Sequence, residues 1–127
     1  MSHKFIQIAA ISGFLAVAIG AFAAHGLKQH LAPEAIETVK IAVQYQFFHT
    51  LALLGVALWS MHKPAVAGLK AAGLAFILGI LLFSGSLYAI ALGAPRWFGP
   101  VTPLGGVCFL LGWLFLFSAT WRTQMDE

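Results

Sequence analysis

The sequence predicts an all-α integral membrane protein, a four-helix bundle with an amphipathic helical segment between spans 1 and 2. Three observations predict it. Apolar residues make up 61% of the 127 residues and charged residues only 9%, against about 25% charged in an ordinary soluble domain. Mean hydropathy is +0.91. The charges at positions 4, 28, 34, 37, 40, 63, 70, 96, 122, 126 and 127 leave four uncharged windows, 5–27, 41–62, 71–95 and 97–121, each 22 to 25 residues long. A helix rising about 1.5 Å per residue crosses a hydrocarbon core near 30 Å in roughly 20 residues. Irregular backbone cannot cross instead, because its unpaired polar groups are too costly in lipid. The chain is thus one transmembrane domain, 1–127, with spans near 4–25, 41–61, 71–92 and 103–121. Soluble enzymes, nucleic-acid binders and disordered tails do not fit this composition. The net charge of +3 is that of basic residues bordering a bilayer and calls for no nucleic-acid partner.

The first span resembles a secretory leader at Ala21-Phe22-Ala23, but its apolar stretch is long for one, and three further windows follow it. Ser12, Ala16, Gly20 and Ala24 recur every four residues and form a ridge of small side chains of the kind that lets membrane helices approach closely. Gly26 is placed for a left-handed helix stop, with Leu27 folding back beside it. Pro33 suits a first helical position, and Glu34 and Glu37 favour the positive helix end. Ile36, Val39 and Val43 form an apolar stripe opposite Glu37 and Lys40, an amphipathic stretch at the membrane surface. It runs on into span 2 as a helix of about 42 Å, from Glu34 to Met61, whose first part emerges from the bilayer or lies along it. A turn with Pro64 leads to span 3, where Gly85, Ala89 and Gly93 form a second small ridge. Gly93, Pro95, Gly99, Pro100 and Pro103 punctuate the next loop, with Arg96 and Trp97 as interface anchors. Trp113 lies in mid-span 4 and is expected between helices. The single cysteine, Cys108, permits neither a disulfide framework nor a zinc ribbon.

Four spans put both termini on one side, with Lys4, Lys63, Lys70 and Arg122. The other side carries Lys28, Lys40 and Arg96 beside Glu34 and Glu37. Four basic residues against three point to cytoplasmic termini by the positive-inside rule.

Polar side chains are expensive in lipid and face a bundle interior. Following the chain up and down places His25, Tyr45, Gln46, His49, Ser84, Ser86, Tyr88 and Thr102 in the leaflet away from the termini, and leaves the other half nearly apolar. Tyr45, Gln46 and His49 share a face of span 2, and Ser84 and Tyr88 share a face of span 3. Ser86 points the other way, towards its own preceding carbonyls. One patch of His25, Tyr45, Gln46, His49, Ser84 and Tyr88, with Thr102 near by, is therefore the candidate binding site. The plainest role for such groups is interhelical hydrogen bonding. A pocket for a lipid, quinone or other hydrophobic ligand is the sharper one. Two alternatives remain. His25 and His49, on different helices, are candidate ligands of a haem or metal in a redox protein. Ser84 with His49 would make an intramembrane serine hydrolase, although Phe83-Ser84-Gly85-Ser86-Leu87 lacks a nucleophile elbow. His25, His30 and Glu34 follow no zinc spacing, and no carboxylate lies within a span to relay protons. The expectation is a non-enzymatic protein without a cofactor or a metal.

Five ordered strings carry a resemblance: Ala10-Ile11-Ser12-Gly13-Phe14, Gly20-Ala21-Phe22-x-Ala24-His25, Tyr45-Gln46-x-Phe48-His49-Thr50-Leu51-Ala52, Leu82-Phe83-Ser84-Gly85-Ser86-Leu87-Tyr88, and Val101-Thr102-Pro103-x-Gly105-Gly106 with Gly112-Trp113. Over nearly the whole chain the sequence resembles the membrane family UPF0382, also called domain of unknown function 423, and is similar to eukaryotic transmembrane protein 256. It departs from the usual pattern at Ala23, where relatives often carry glycine. The resemblance implies a four-span protein of the bacterial inner membrane and no particular activity, and it draws attention to the same polar residues. Membrane lipid is the partner this reading expects. A hydrophobic small molecule, a larger membrane complex or a second copy of the chain are the others it leaves open.

Overall fold

The computed structural model describes residues 1–127, and four helices are long and apolar enough to cross a membrane. We label them α1 (Ser2–His25), α2 (Pro33–His62), α3 (Leu69–Ala91) and α4 (Val101–Met125). Each span follows from its uncharged window, since a helix satisfies every backbone group within itself.

The stops are made differently from the sequence expectation at one end. Gly26 sits at φ −86° and ψ −45°, in the right-handed region, and its N–H still donates to the Phe22 carbonyl. The left-handed stop expected there is replaced by a 3-10 turn over Leu27–Gln29, which closes the helix end by tightening its hydrogen bonds. The left-handed glycines are Gly68 and Gly93, at φ +96° and +98°. Gly93 closes α3 with the paired bonds of a Schellman motif, Ala94 N–H to the Ala89 carbonyl and Gly93 N–H to that of Ile90. It thus belongs to a helix cap and not to a packing ridge.

Helix α2 runs unbroken for 30 residues from Pro33 in its first turn. The apolar stripe at its amphipathic start is covered by the protein's own helices. Ile36 and Val39 are buried, and Val39 packs in a small core with Ala23 and Ala91 that Ile19, Leu27, Val43 and Tyr88 surround. Glu37 and Lys40 stay exposed and pair at 3.2 Å, which is worth a few tenths of a kcal/mol at about this degree of exposure. Helix α3 contains one wide π turn, Ile80–Ser84, which nothing in its apolar sequence announced.

Helices α2 and α3 form the central pair. Helix α1 packs along α2 on one flank, and α4 packs along α3 on the other. The main core holds Phe5 and Ala9 from α1, Leu53, Val56 and Ala57 from α2, Leu69, Ala72 and Phe76 from α3, and Phe109 and Ala119 from α4. Its larger rings fill holes opened by glycine. Phe5 lies over Gly73, Phe76 over Gly112 and Phe109 over Gly79. Of the expected ridges, the one on α1 faces α2 from Ser12 through Ala16 to Gly20, but Ala23 rather than Ala24 continues it. The second is not a ridge, since a side chain added at Gly85 would meet nothing within 4 Å. A small residue serves packing only where a partner's bulk falls on it, and that depends on the neighbouring helix.

Candidate functional site

The side chains singled out from the sequence do not form one patch. Helix α2 divides them between its two flanks. Tyr45 and His49 face α4, while Gln46, one residue beyond Tyr45 and turned about 100° round the helix, faces α1 and α3.

On the α1 flank, Gln46 is the hub. Its carboxamide N–H donates to the Ser12 carbonyl at 2.9 Å and to Ser12 Oγ at 3.3 Å, and its Oε1 accepts the Tyr88 hydroxyl at 2.6 Å. Ser12 Oγ shares a further hydrogen bond of 2.7 Å with Thr50 Oγ1. Three helices are tied at one level, near the middle of α1. Ser12 and Thr50 were not among the candidate residues. The signal for Thr50 was present, because Gln46 and Thr50 are four apart and share a face.

On the α4 flank, the His49 ring lies on Phe109 with centroids 3.6 Å apart and planes 12° from parallel. His49 Nδ1 lies 2.7 Å from the Tyr45 carbonyl, and Nε2 accepts the Trp113 indole N–H at 3.1 Å. The carbonyl can only accept, so Nδ1 carries the proton and the ring is the neutral Nδ1–H tautomer. Both nitrogens are then used. Trp113 is half-exposed at the outer rim of this seam, held there by its nitrogen and by the edge-to-face contact of its ring with Phe76, centroids 5.1 Å apart. Tyr45 leans on Phe83, 4.6 Å away.

The remaining candidates stand apart. His25 is exposed on the end of α1 and makes no side-chain hydrogen bond, so it does not join His49. Ser84 is fully buried and donates to the Ala42 carbonyl at 2.8 Å, leaving no serine–histidine pair. Ser86 bonds back to the Phe83 carbonyl, as its spacing predicted, and shares a 2.6 Å bond with Thr102 that ties the start of α4 to α3. No three His, Cys, Asp or Glu side chains converge. The half nearer the termini is not wholly apolar either, for Ser2 donates to the buried Ser60 at 3.1 Å.

Between α1 and α3 lies a cleft of about 380 Å3, open sideways. Its walls are Ile8, Ile11, Leu15 and Ile19 on one side and Ile77, Ile80, Leu81 and Gly85 on the other, and Ser12, Gln46 and Tyr88 underlie it. No buried side-chain nitrogen or oxygen in the protein lacks a hydrogen-bond partner, so the polar floor is closed upon itself. Such a surface suits hydrocarbon better than a polar head.

The chain matches a family described as protein of unknown function (DUF423) over residues 19–106. It is 42% identical over 124 residues to a UPF0382 membrane protein of Haemophilus influenzae, covering 98% of each chain. The UPF0382 inner membrane protein YgdD of Escherichia coli K12 is 43% identical over 125 residues, 98% of this chain and 95% of that one. A UPF0382 membrane protein of Bacillus subtilis is 37% identical over 115 residues, 91% and 94% of the two chains. No solved structure matches. Four helices able to span a membrane, the ordered motifs that build their contacts, and relatives alike from end to end agree: the chain belongs to the UPF0382 membrane protein family.

Proposed function

We propose that this protein is a non-enzymatic protein of the bacterial inner membrane that holds a lipid hydrocarbon chain in the cleft between α1 and α3. The cleft itself carries the reading. Its volume falls within the roughly 300–1,000 Å3 usual for ligand sites, its walls are branched apolar side chains, and it opens where acyl chains are the solvent. The closed network beneath it favours binding over chemistry, since Gln46, Tyr88 and Ser12 offer no free donor.

Gly85 provides the test. It lines the cleft, and an added side chain there meets no protein atom within 4 Å. Gly85→Leu is expected to keep the fold and to remove the lipid that stays bound after gentle detergent extraction, read by native mass spectrometry. His49→Leu, on the opposite flank of α2, is expected to leave that lipid in place. Equal lipid retention by wild type and Gly85→Leu would overturn the proposal.

The same reading puts both termini in the cytoplasm, supported by Lys4, Lys63, Lys70 and Arg122 on their side. A fluorescent protein that matures only in the cytoplasm is expected to light up when fused after Glu127, and alkaline phosphatase fused there to stay inactive. The reverse pattern would invert the topology.

A further inference from the structure

A second pocket, of about 430 Å3, lies at the terminus-side end of the bundle, where the loop between α2 and α3 meets the last turn of α4. Its walls are set by packing. Gly68, at φ +96°, lies against the backbone of α4, where an added Cβ would come within 3.3 Å of the Phe115 carbonyl oxygen. Val66 packs onto the main core. The polar lining comprises Lys63, Arg122, Thr123, Asp126 and Glu127. Lys63 and Glu127 pair with each other at 3.1 Å. Arg122 and Asp126 form no ion pair, and the Thr123 hydroxyl is spent on the Ala119 carbonyl. One guanidinium and one carboxylate are therefore free in the same pocket. The level is that of lipid headgroups, since the uncharged windows end at positions 62 and 121 and Trp121 is exposed there in the place of an interface anchor.

We infer that this pocket binds the zwitterionic headgroup of a phospholipid bearing a primary ammonium. Arg122 takes the phosphate, because the guanidinium fork matches phosphate oxygens. Asp126 takes the ammonium, whose N–H groups donate to a carboxylate. A quaternary ammonium has no N–H and loses that bond, and a headgroup without a cation leaves Asp126 facing a phosphate of its own sign. This site is separate from the cleft between α1 and α3.

The full-length protein, exchanged into nanodiscs of phosphatidylethanolamine, phosphatidylcholine or phosphatidylglycerol with identical acyl chains, tests the inference by native mass spectrometry of retained lipid. Phosphatidylethanolamine is expected to be retained about fivefold over the other two, the scale of one exposed charge-assisted contact. Arg122→Gln lowers retention of all three. Asp126→Asn removes the preference for phosphatidylethanolamine over both other lipids, since it takes away the ammonium contact and the repulsion of an anionic headgroup together. Gly85→Leu leaves the preference intact, which separates this site from the cleft. Retention of phosphatidylglycerol equal to or above phosphatidylethanolamine would mean a merely basic rim and overturn the inference. So would a preference that survives Asp126→Asn.

Discussion

Gly105→Ala is expected to unfold the contact between α3 and α4 with the largest loss of stability of any single methyl group in the chain. A Cβ on Gly105 would lie 2.2 Å from the Phe83 backbone nitrogen and 2.6 Å from its Cα. These are main-chain atoms inside the π turn, so no side-chain rotation relieves the overlap. Overpacking costs typically about 1–3 kcal/mol, and with a rigid opponent the upper end or more is expected. Separating the helices would also strain the Ser86–Thr102 bond and withdraw Phe109 from Gly79. The next residue supplies the control. A Cβ on Gly106 meets only Phe83 Cδ2, at 4.0 Å, and alanine is the better helix former by about 1 kcal/mol. Thermal unfolding in detergent, followed by the near-ultraviolet signal of the packed aromatic rings, is expected to place Gly105→Ala far below wild type and Gly106→Ala at or above it. Equal melting of the two variants would contradict the close approach of α3 and α4.

Gln46→Leu is expected to be the most damaging substitution of a polar side chain. Leucine fills a similar volume but severs the bonds to Tyr88 and to both Ser12 oxygens. Interhelical hydrogen bonds in bilayers average about 0.6 kcal/mol and reach about 1.7. The loss of the set, with a tyrosine hydroxyl left against hydrocarbon, comes to about 2 kcal/mol. Tyr88→Phe and Ser12→Ala each remove part of the same network and are expected to cost roughly 0.6 kcal/mol apiece. Reversible unfolding in a mixed micelle would measure all three. A Gln46→Leu loss no greater than that of Tyr88→Phe would remove Gln46 from its place as hub.

The spans and the cap chemistry of Pro33 were legible along the chain because they depend on local quantities: the distance between charges, and the fit of one residue to one dihedral angle. The α1 ridge was legible to Gly20 for the same reason. The patch was legible only in part. Helical spacing put Tyr45, Gln46 and His49 on one broad face, yet adjacent residues differ by about 100° around the axis, enough for Tyr45 and Gln46 to serve different neighbours. Spacing within one helix does not say how many partners flank it. His25 illustrates the other limit, since it lies at the right depth but on a side of α1 that nothing covers. The wide turn at Ile80–Ser84 escaped notice because the segment has no proline or charge to mark it.

What the amino-acid order determined alone was the solvent. With so few charges the chain must live in the bilayer, and four uncharged windows of spanning length must be helices, because lipid offers no partner to an unpaired backbone group. What only the tertiary structure decided was which helix faces which. In a bilayer the hydrophobic effect is silent about that choice, since lipid tails are as apolar as leucine. Steric fit and a few hydrogen bonds settle it: Phe109 in the hole at Gly79, Gln46 reaching Ser12 and Tyr88, His49 holding Trp113. The cleft and the headgroup pocket both follow from that pairing of helices.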